Sequence, residues 1–237
     1  MKGKKICIII PSRMSSSRFP GKPLVDINGK SMIRRVYEKC RQSLADRVIV
    51  STEDEEIYEH IIKFGDCDLT PKFDNGTLRV CYTARNLPYD FDYVINVQGD
   101  EPNINIDFLN SFINTLITIK PGTILTGASE LKDDQLKDPN SVKLIKHEER
   151  KILGFTRSPI FYKHSNAFKH IGIYGFCYSD INKIYKMDST PLSIQNSLEQ
   201  ISWMEDGFEM EYIMCYSDAF SVDVPSDLDL AIKYCKS

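Results

Sequence analysis

The chain has 237 residues, of which 30 are basic and 33 are acidic, so its formal net charge at pH 7 is -3. This length suits one large α/β domain, or one domain with a smaller lobe, better than two independent domains. The slightly acidic balance argues against the broad basic face that nucleic-acid binding usually requires, so no nucleic-acid partner is expected.

The amino terminus combines basic residues with a short apolar run, MKGKKICIIIP. The apolar stretch stops at Pro11, well short of the hydrophobic region of a signal peptide, and is interpreted as a buried first strand. No window of the sequence is apolar for long enough to span a membrane, which favours a cytoplasmic enzyme without a membrane partner. Seven cysteines without a CxxC pair are typical of a reduced cytosolic chain.

The amino-terminal part of the chain alternates between strand-like and helix-like patterns. In chain order we predict a strand over 5–11, a helix with Met32, Ile33, Val36 and Cys40 on one face, a strand over 47–52, a helix marked by Ile57, Ile61 and Phe64, and a strand over 93–98. Buried strands separated by helices predict βαβ crossovers. We therefore expect an α/β fold with a mostly parallel sheet and helices on both of its faces.

The pattern changes after about residue 130. The segment 131–162 is richer in Lys, Asp and Pro, and it carries short strand candidates at 142–145 and 152–155. We expect a single domain over 1–237 in which about 131–200 forms a smaller inserted sublobe. Strand character returns over 171–177 and 212–216, and Ser226 with Asp229 predicts a capping box at the start of the last helix.

The segment after the first strand, PSRMSSSRFPGKPL, has the composition of a phosphate-binding loop. Ligands of an open α/β sheet bind beyond the carboxyl ends of its strands, which is where this segment begins. It combines three cations with small residues whose backbone N–H groups can approach an anion, namely Arg13, Arg18 and Lys22 with Ser15, Ser16 and Ser17. Gly21 permits a tight bend, and the segment is neither a Walker A motif nor GxGxxG. A triphosphate site and a polar surface loop both fit this composition.

Two acidic residues are candidate ligands of a hard divalent cation such as Mg²⁺. Asp100, in VQGDEP, directly follows a predicted strand and so faces the same crevice as the phosphate loop. Glu101 is expected to point elsewhere if the chain turns at Pro102. Asp223, in SVDVPSD, lies between two valines, where an unpaired carboxylate is costly unless a cation or hydrogen-bond donors compensate it. Both aspartates also have an alternative interpretation as turn residues.

Together these segments resemble the 3-deoxy-manno-octulosonate (KDO) cytidylyltransferase family, also called CMP-KDO synthetases. The resemblance spans nearly the whole chain and runs in order through PSRMSSSRFPGKPLVDINGKSMI, VINVQGDEP, DPNSVK, FTRSPI, HIGIYGF, SLEQ and VDVPSDLDLA. It implies a Rossmann-like nucleotidyltransferase fold and transfer of CMP from CTP to the anomeric hydroxyl of an acidic sugar. It also implies Mg²⁺ as cofactor and a homodimer, which we expect to form through the sublobe after residue 130.

The resemblance implies a role for each matching position. Those assigned to the CTP phosphates are Arg13, Arg18 and Lys22, those near the nucleotide are Asn75, Gly76, Thr77 and Arg79, those holding Mg²⁺ are Asp100 and Asp223, and those lining the sugar pocket are Gln98, Arg157, His170, Tyr174 and Glu199. Catalysis is expected from positioning and charge neutralisation by Lys22, the arginines and the metal.

Three of these assignments, all in the sugar pocket, have physical support of their own. The guanidinium of Arg157 can pair with a sugar carboxylate in bidentate fashion. His170 and Tyr174 share a face by their even spacing if they lie on one strand. The alternative for His170 is a hydrogen-bonded core histidine.

The chain departs from the family pattern at several positions. Leu78 stands where an acidic residue is typical, Phe73 and Asp74 replace a His-Gln pair, and Ser202 stands where an Arg is typical. The loss of positive charge at Ser202 suggests a modified octulosonate, such as an amino variant, as acceptor. Other acceptors that stay open are a sialic-like nonulosonate and a phosphorylated or phosphonate compound, and a non-catalytic nucleotide-binding protein is the alternative of another class.

Overall fold

A computed structural model describes residues 3–16, 18–88, 90–161, 166–217 and 221–235. Its strands are β1 (Ile6–Ser12), β2 (Asp26–Ile27), β3 (Lys30–Ser31), β4 (Arg47–Thr52), β5 (Cys67–Leu69), β6 (Tyr93–Asn96), β7 (Thr123–Ser129), β8 (Lys143–Lys146), β9 (Ile152–Thr156), β10 (Ala167–Cys177) and β11 (Glu209–Met214). Its α-helices are α1 (Met32–Cys40), α2 (Glu55–Ile61), α3 (Gly76–Asn86), α4 (Ile106–Leu116), α5 (Ile181–Tyr185), α6 (Pro191–Asn196), α7 (Glu199–Glu205) and α8 (Leu228–Tyr234).

The main sheet has the strand order β11-β7-β10-β6-β1-β4-β5. Every neighbouring pair in this order is parallel except the two that involve β10, which runs antiparallel between β6 and β7. The hairpin of β8 and β9 extends the sheet beside the first residues of β10. The predicted α/β class with a mostly parallel sheet is confirmed.

Successive side chains of β1 pack in two separate hydrophobic cores, one on each face of the sheet. Ile8 packs in a cluster with Val36 of α1 and Leu109 of α4. Ile9 packs on the other face, in a cluster with Val80 of α3 and residues of α5 and α7. This alternation follows from the opposite directions of neighbouring side chains on a strand, and it confirms that helices cover both faces.

Several element bounds differ from the sequence-based expectation. The strand over 47–52 has the predicted bounds, but β10 begins at Ala167 because its first residues pair with β8. The predicted capping box at Ser226 and Asp229 is wrong. A 3-10 turn over Pro225–Asp227 precedes α8, and the Asp227 carboxylate accepts hydrogen bonds from the backbone N–H groups of Asp223 and Val224.

The interval 131–200 contains the β8-β9 hairpin, α5, α6 and the beginning of α7. It also contains β10, which is a central strand of the main sheet.

All seven cysteines are free, and six of them are buried. Burial raises the pKa of the Cys7 thiol to about 12, which fits a packing role. Among the helices of the described residues, none combines the length and the apolar character needed to cross a bilayer.

Candidate active site

The loop between β1 and the 3-10 turn Lys22–Leu24 is folded back on itself at the carboxyl end of the sheet. The Met14 carbonyl accepts hydrogen bonds from the N–H groups of Ser16 at 2.9 Å and Gly21 at 3.2 Å. The Met14 N–H donates to the Asp54 carboxylate at 2.7 Å. Gly21 has a φ of 72°, a left-handed conformation that favours glycine, and it directs Lys22 towards the sheet edge.

Lys22, Arg18, Asp100 and Asp223 form one charged cluster. The Lys22 ammonium lies 2.8 Å from the Asp100 carboxylate and 3.8 Å from that of Asp223. The Arg18 guanidinium lies 2.8 Å from the same oxygen of Asp223. A hydrogen bond of 2.9 Å from the Val222 N–H to the Asp100 carbonyl holds the two acidic segments side by side. The two aspartates predicted from separate parts of the sequence therefore meet around one cation.

A cavity of about 280 Å³ opens in front of this cluster. The predicted nucleotide residues that line it are Arg13, Ser15, Ser16, Arg18, Lys22, Gly76 and Arg79, joined by Ser12, Gln98 and Gly99. A Cβ atom at Gly99 would lie 3.0 Å from the Pro11 carbonyl, so the small residue permits a close approach of β1 and the QGDEP segment. Ser17 lies outside the described residues.

Asn75 and Thr77, which were also predicted near the nucleotide, do not line the smaller cavity. The Asn75 side chain accepts a hydrogen bond from the Leu78 N–H at 2.8 Å and so caps the start of α3. Thr77 is buried and lines the larger cavity described below.

Arg79 is almost fully buried beneath the smaller cavity, with 2% of its surface exposed. Its guanidinium forms an ion pair with Glu53 and donates to the Ser12 carbonyl at 3.4 Å. Burial lowers the pKa of Arg79, and the charge of Glu53 opposes that effect. Two buried atoms at this wall, Arg79 Nε and Ser12 Oγ, have no hydrogen-bond partner among the described residues. Polar atoms left in this condition favour a ligand that would satisfy them.

A second, larger cavity of about 860 Å³ adjoins the first. The two cavities share four lining residues, which are Arg18, Gln98, Asp100 and Asp223. All five residues predicted for the sugar pocket line the larger one, namely Gln98, Arg157, His170, Tyr174 and Glu199. The charged cluster therefore lies where a nucleotide in one cavity would meet an acceptor in the other.

His170 and Tyr174 lie on β10 as predicted, with ring centroids 5.6 Å apart. His170 Nε2 lies 2.9 Å from the Thr126 hydroxyl, and its Nδ1 lies 3.5 Å from Gln200 Nε2. The Tyr174 hydroxyl accepts from the same Gln200 nitrogen at 2.8 Å. His170 is thus both a buried, hydrogen-bonded histidine and a cavity-lining residue, which combines the two interpretations.

We expect His170 to stay neutral throughout the physiological pH range. Burial lowers its pKa to about 3, and the charge of Arg157 acts in the same direction. Its ring resonances should stay constant between pH 8 and 5 in an NMR titration, and a midpoint near 6.5 would contradict this expectation. Below about pH 6.5 the imidazole of His170 is protonated in the unfolded chain but stays neutral in the folded protein. His170 should therefore lower the free energy of unfolding progressively as the pH falls from about 6.5 to about 3.

Arg157 is held at the cavity wall by backbone carbonyls. Its guanidinium donates to the carbonyls of Pro139 at 3.1 Å, Asn140 at 3.3 Å and Ser197 at 3.4 Å. Its buried Nε has no hydrogen-bond partner within the part of the chain that the structure describes. Three of the five guanidinium N–H groups donate to these carbonyls, which leaves the Nε–H and one N–H of Nη2 as donors for a sugar carboxylate.

Lys143, from the DPNSVK segment, is fully buried behind Arg157. Its ammonium donates to the carbonyls of Asp138 and, at 3.5 Å, Arg157. We expect Lys143→Met to lower the free energy of unfolding by about 1–3 kcal/mol, because it leaves a buried carbonyl without a donor. Urea unfolding checks this, with Lys146→Met on the same strand as control, and equal midpoints for the two variants would contradict it.

Glu101 lies in the larger cavity rather than pointing elsewhere. It is buried, with 9% of its surface exposed. Burial raises its pKa to about 8, the charges of Asp100 and Asp223 add to this effect, and Lys169 opposes it. Glu199, which also lines this cavity, has its pKa raised by burial against a hydrogen bond from Thr77. Two of the cavity's carboxyl groups thus lie in surroundings that disfavour charge.

Two of the departures from the family pattern lie together. Leu78 and Ser202 line one small cavity of about 30 Å³, and Ser202 is not among the residues that line the larger cavity. The Ser202 hydroxyl is buried and accepts from the Thr190 N–H at 3.1 Å. The acidic residue typical at 78 and the Arg typical at 202 would therefore meet here as opposite charges, so losing both leaves neither charge unpaired. The structure therefore does not support Ser202 as a reason to expect an amino sugar as acceptor.

Comparisons with known proteins point to the cytidylyltransferases. A family model described as cytidylyltransferase matches residues 7–212. The chain is 37% identical over 235 residues to a 3-deoxy-manno-octulosonate cytidylyltransferase of Fusobacterium nucleatum, covering 96% of each chain. It is 33% identical over 237 residues to one of Chlamydia pneumoniae, covering 97% of this chain and 93% of the other.

A solved structure of CMP:2-keto-3-deoxy-manno-octonic acid synthetase in complex with CTP superposes with a TM-score of 0.89. It is 29% identical in sequence, and the match covers 97% of this chain and 98% of the other. The resemblance found from the sequence is confirmed, and the chain belongs to the 3-deoxy-manno-octulosonate cytidylyltransferase family of nucleotidyltransferases.

Proposed function

We propose that this protein transfers CMP from CTP to the anomeric hydroxyl of 3-deoxy-manno-octulosonate and releases pyrophosphate. The observation that carries the proposal is the meeting of two cavities at one charged cluster. The smaller cavity carries the cations of a phosphate site, and the larger one carries Arg157 and hydrogen-bonding side chains suited to an acidic sugar. The names of the relatives in the family agree with this pairing.

In the proposed reaction the anomeric oxygen forms a bond to the α-phosphorus of CTP. The bond from that phosphorus to the oxygen bridging to the β-phosphate breaks, pyrophosphate leaves, and the hydroxyl proton passes to solvent. Lys22 and Arg18 lie at the junction of the cavities, where they would neutralise charge on the transferring and leaving phosphates. Arg13 lines the smaller cavity and would bind the phosphate tail.

We further propose that Asp100 and Asp223 hold Mg²⁺. Within the described ranges, no three His, Cys, Asp or Glu side chains converge as a metal cage. Two carboxylates that already flank one cation, the Lys22 ammonium, fit Mg²⁺ because this ion usually takes one or two protein carboxylates and completes its shell with water and substrate phosphates. Bound there, it would supply charge neutralisation to the phosphate oxygens.

The proposed assembly is a cytoplasmic homodimer formed through the 131–200 interval. Its support is a set of exposed large apolar side chains in that interval, with Leu153 exposed by 64%, Phe161 by 72% and Ile194 by 66%. Contiguous exposed apolar patches often mark an interface. Light scattering should give twice the chain mass of 27.2 kDa, and a monomer at micromolar concentration would contradict the dimer.

Pyrophosphate release from CTP over a panel of acceptors tests the function. The panel contains KDO, an amino-substituted KDO, a sialic-type nonulosonate and a phosphorylated alcohol, and UTP in place of CTP is the nucleotide control. We expect the highest kcat/KM with KDO and CTP. A preference for the nonulosonate or the phosphorylated alcohol would reject KDO as the acceptor. CTP binding without turnover on any acceptor would support a non-catalytic protein.

A further inference from the structure

A chain of buried polar side chains runs from the middle of the sheet to the wall of the larger cavity. It consists of Thr126 on β7, His170 and Tyr174 on β10, and Gln200 on α7. The last three line the larger cavity, whereas Thr126 is fully buried and is not among the described residues that line either cavity. The direction of every hydrogen bond along this chain follows from Thr126.

Thr126 fixes the first link. Its hydroxyl lies 2.7 Å from the Ile173 carbonyl and 3.2 Å from the Ile171 carbonyl, at the bulge where the register between β10 and β7 shifts. A carbonyl oxygen only accepts hydrogen bonds, and a hydroxyl has one proton, so that proton is committed to one of these carbonyls. Thr126 Oγ1 therefore accepts from His170 Nε2, which makes Nε2 the protonated ring nitrogen.

His170 transmits this constraint to Gln200. The ring is neutral because burial lowers its pKa to about 3, so a proton on Nε2 leaves a lone pair on Nδ1. Nδ1 can then only accept, which requires the NH₂ group of Gln200, rather than its oxygen, to face His170. The second N–H of the same amide donates to the Tyr174 hydroxyl.

Tyr174 is thereby an acceptor towards the protein. Its own proton has no acceptor among the described residues, and burial raises its pKa well above the usual value, so the hydroxyl keeps that proton. The hydroxyl lies in the wall of the larger cavity. A phenol arranged in this way suits a ligand oxygen that accepts a hydrogen bond and disfavours a ligand group that donates one.

We propose that Thr126 is a positioning residue for sugar recognition, which, through His170 and Gln200, makes the Tyr174 hydroxyl a hydrogen-bond donor towards an acceptor oxygen of the acidic sugar. The identity of the ligand rests on the proposed function. The relay itself adds a specificity-determining residue that lies outside the cavity wall and touches no substrate.

Three variants separate this role from a purely structural one. Thr126→Val keeps the branched shape and removes the hydroxyl, Thr126→Ser keeps the hydroxyl, and Tyr174→Phe removes the donor. In CTP-dependent pyrophosphate release, we expect Thr126→Val to raise the KM for the sugar about tenfold with the KM for CTP changed less than about twofold. Thr126→Ser should stay within about twofold of the wild type for both.

Because Thr126 acts through Tyr174, the double variant Thr126→Val with Tyr174→Phe should have the same sugar KM as Tyr174→Phe alone. Losses that multiply in the double variant would overturn the inference, as would a wild-type sugar KM in Thr126→Val. A lower unfolding midpoint in Thr126→Val than in Thr126→Ser is expected in either case, because the buried Ile173 carbonyl loses its donor. A fold that merely loosens at the bulge would raise the KM values for the sugar and for CTP alike, and that result would overturn the inference.

The tautomer of His170 gives a readout that needs no turnover. In ¹⁵N-labelled protein, with the resonances assigned by comparison with His170→Asn, we expect the proton on Nε2 in the wild type and in Thr126→Ser. A wild-type ring protonated on Nδ1 would overturn the relay. An inactive wild type whose ring is protonated on Nε2 would reject the proposed function while supporting the relay.

Discussion

Asp100→Asn and Asp223→Asn should each reduce CMP transfer by at least about 10³-fold while leaving the fold intact. The two carboxylates converge on the Lys22 ammonium at the junction of the cavities, where the phosphate groups of CTP and Mg²⁺ would lie. Each substitution keeps the shape of the side chain and removes one charged oxygen ligand. Turnover is measured as pyrophosphate release with saturating CTP and KDO over a series of Mg²⁺ concentrations.

The fold should tolerate both changes because neither aspartate is a core residue. The side chains of Asp100 and Asp223 are 27% and 38% exposed, and exposed ion pairs stabilise proteins by about 0–1 kcal/mol. Asp66→Asn is the matched control, because it breaks the ion pair of 2.8 Å with Arg47 away from both cavities. Near-normal Mg²⁺-dependent rates in either active-site variant would refute the shared-metal arrangement.

Lys22→Met should lower kcat by about 10²- to 10³-fold. The Lys22 ammonium is largely buried, with 12% of the side chain exposed, and it bridges the two carboxylates. Its removal takes away a positive charge from the site of the leaving pyrophosphate and leaves Asp100 without its ion-pair partner, whereas Asp223 keeps its pair with Arg18. Single-turnover kinetics with saturating CTP separates this loss from weaker nucleotide binding.

Lys30→Met is the control for Lys22→Met, since its ammonium forms an ion pair of 2.7 Å with Glu38 at the protein surface. It should retain the wild-type kcat. If Lys22→Met raised only the KM for CTP and kept kcat, Lys22 would contribute equally to ground-state and transition-state binding, and its proposed catalytic role would be wrong.

Much of the fold could be predicted because its strands carry strong local signals. Strand β4 has the predicted bounds, since RVIVST is a run of buried, largely β-branched residues between polar turns. The convergence of Asp100 with the phosphate loop could also be predicted, because parallel strands place their carboxyl ends at one edge of the sheet.

The direction and the bulge of strand β10 could not be predicted from its local sequence. Its antiparallel direction and its bulge depend on pairing with β6, β7 and β8, which are distant in sequence. Thr126 carried no signal either, because a single Thr in a strand pattern is common, and its role arises from the carbonyls that the bulge leaves free. Gln200 was adjacent to a predicted pocket residue but had no pattern of its own.

The pairing of Leu78 with Ser202 was also invisible from the sequence. Considered alone, the loss of positive charge at Ser202 suggested a modified acceptor sugar. In the structure the two residues line one small cavity and do not line the larger cavity proposed for the sugar. Both Asp100 and Asp223 are retained beside Lys22, so the reading of these departures as signs of lost catalysis has no support in the charged cluster.

The fate of the α-phosphate of CTP shows directly whether the protein transfers CMP to KDO. Protein, Mg²⁺ and KDO are incubated with CTP radiolabelled at the α-phosphate, and in a parallel reaction with CTP labelled at the γ-phosphate. We expect the α-label to move into a single sugar nucleotide in which one phosphorus joins cytidine to the anomeric oxygen, while the γ-label leaves entirely as pyrophosphate. Recovery of the α-label only as CTP or free CMP, with no sugar conjugate, would contradict it.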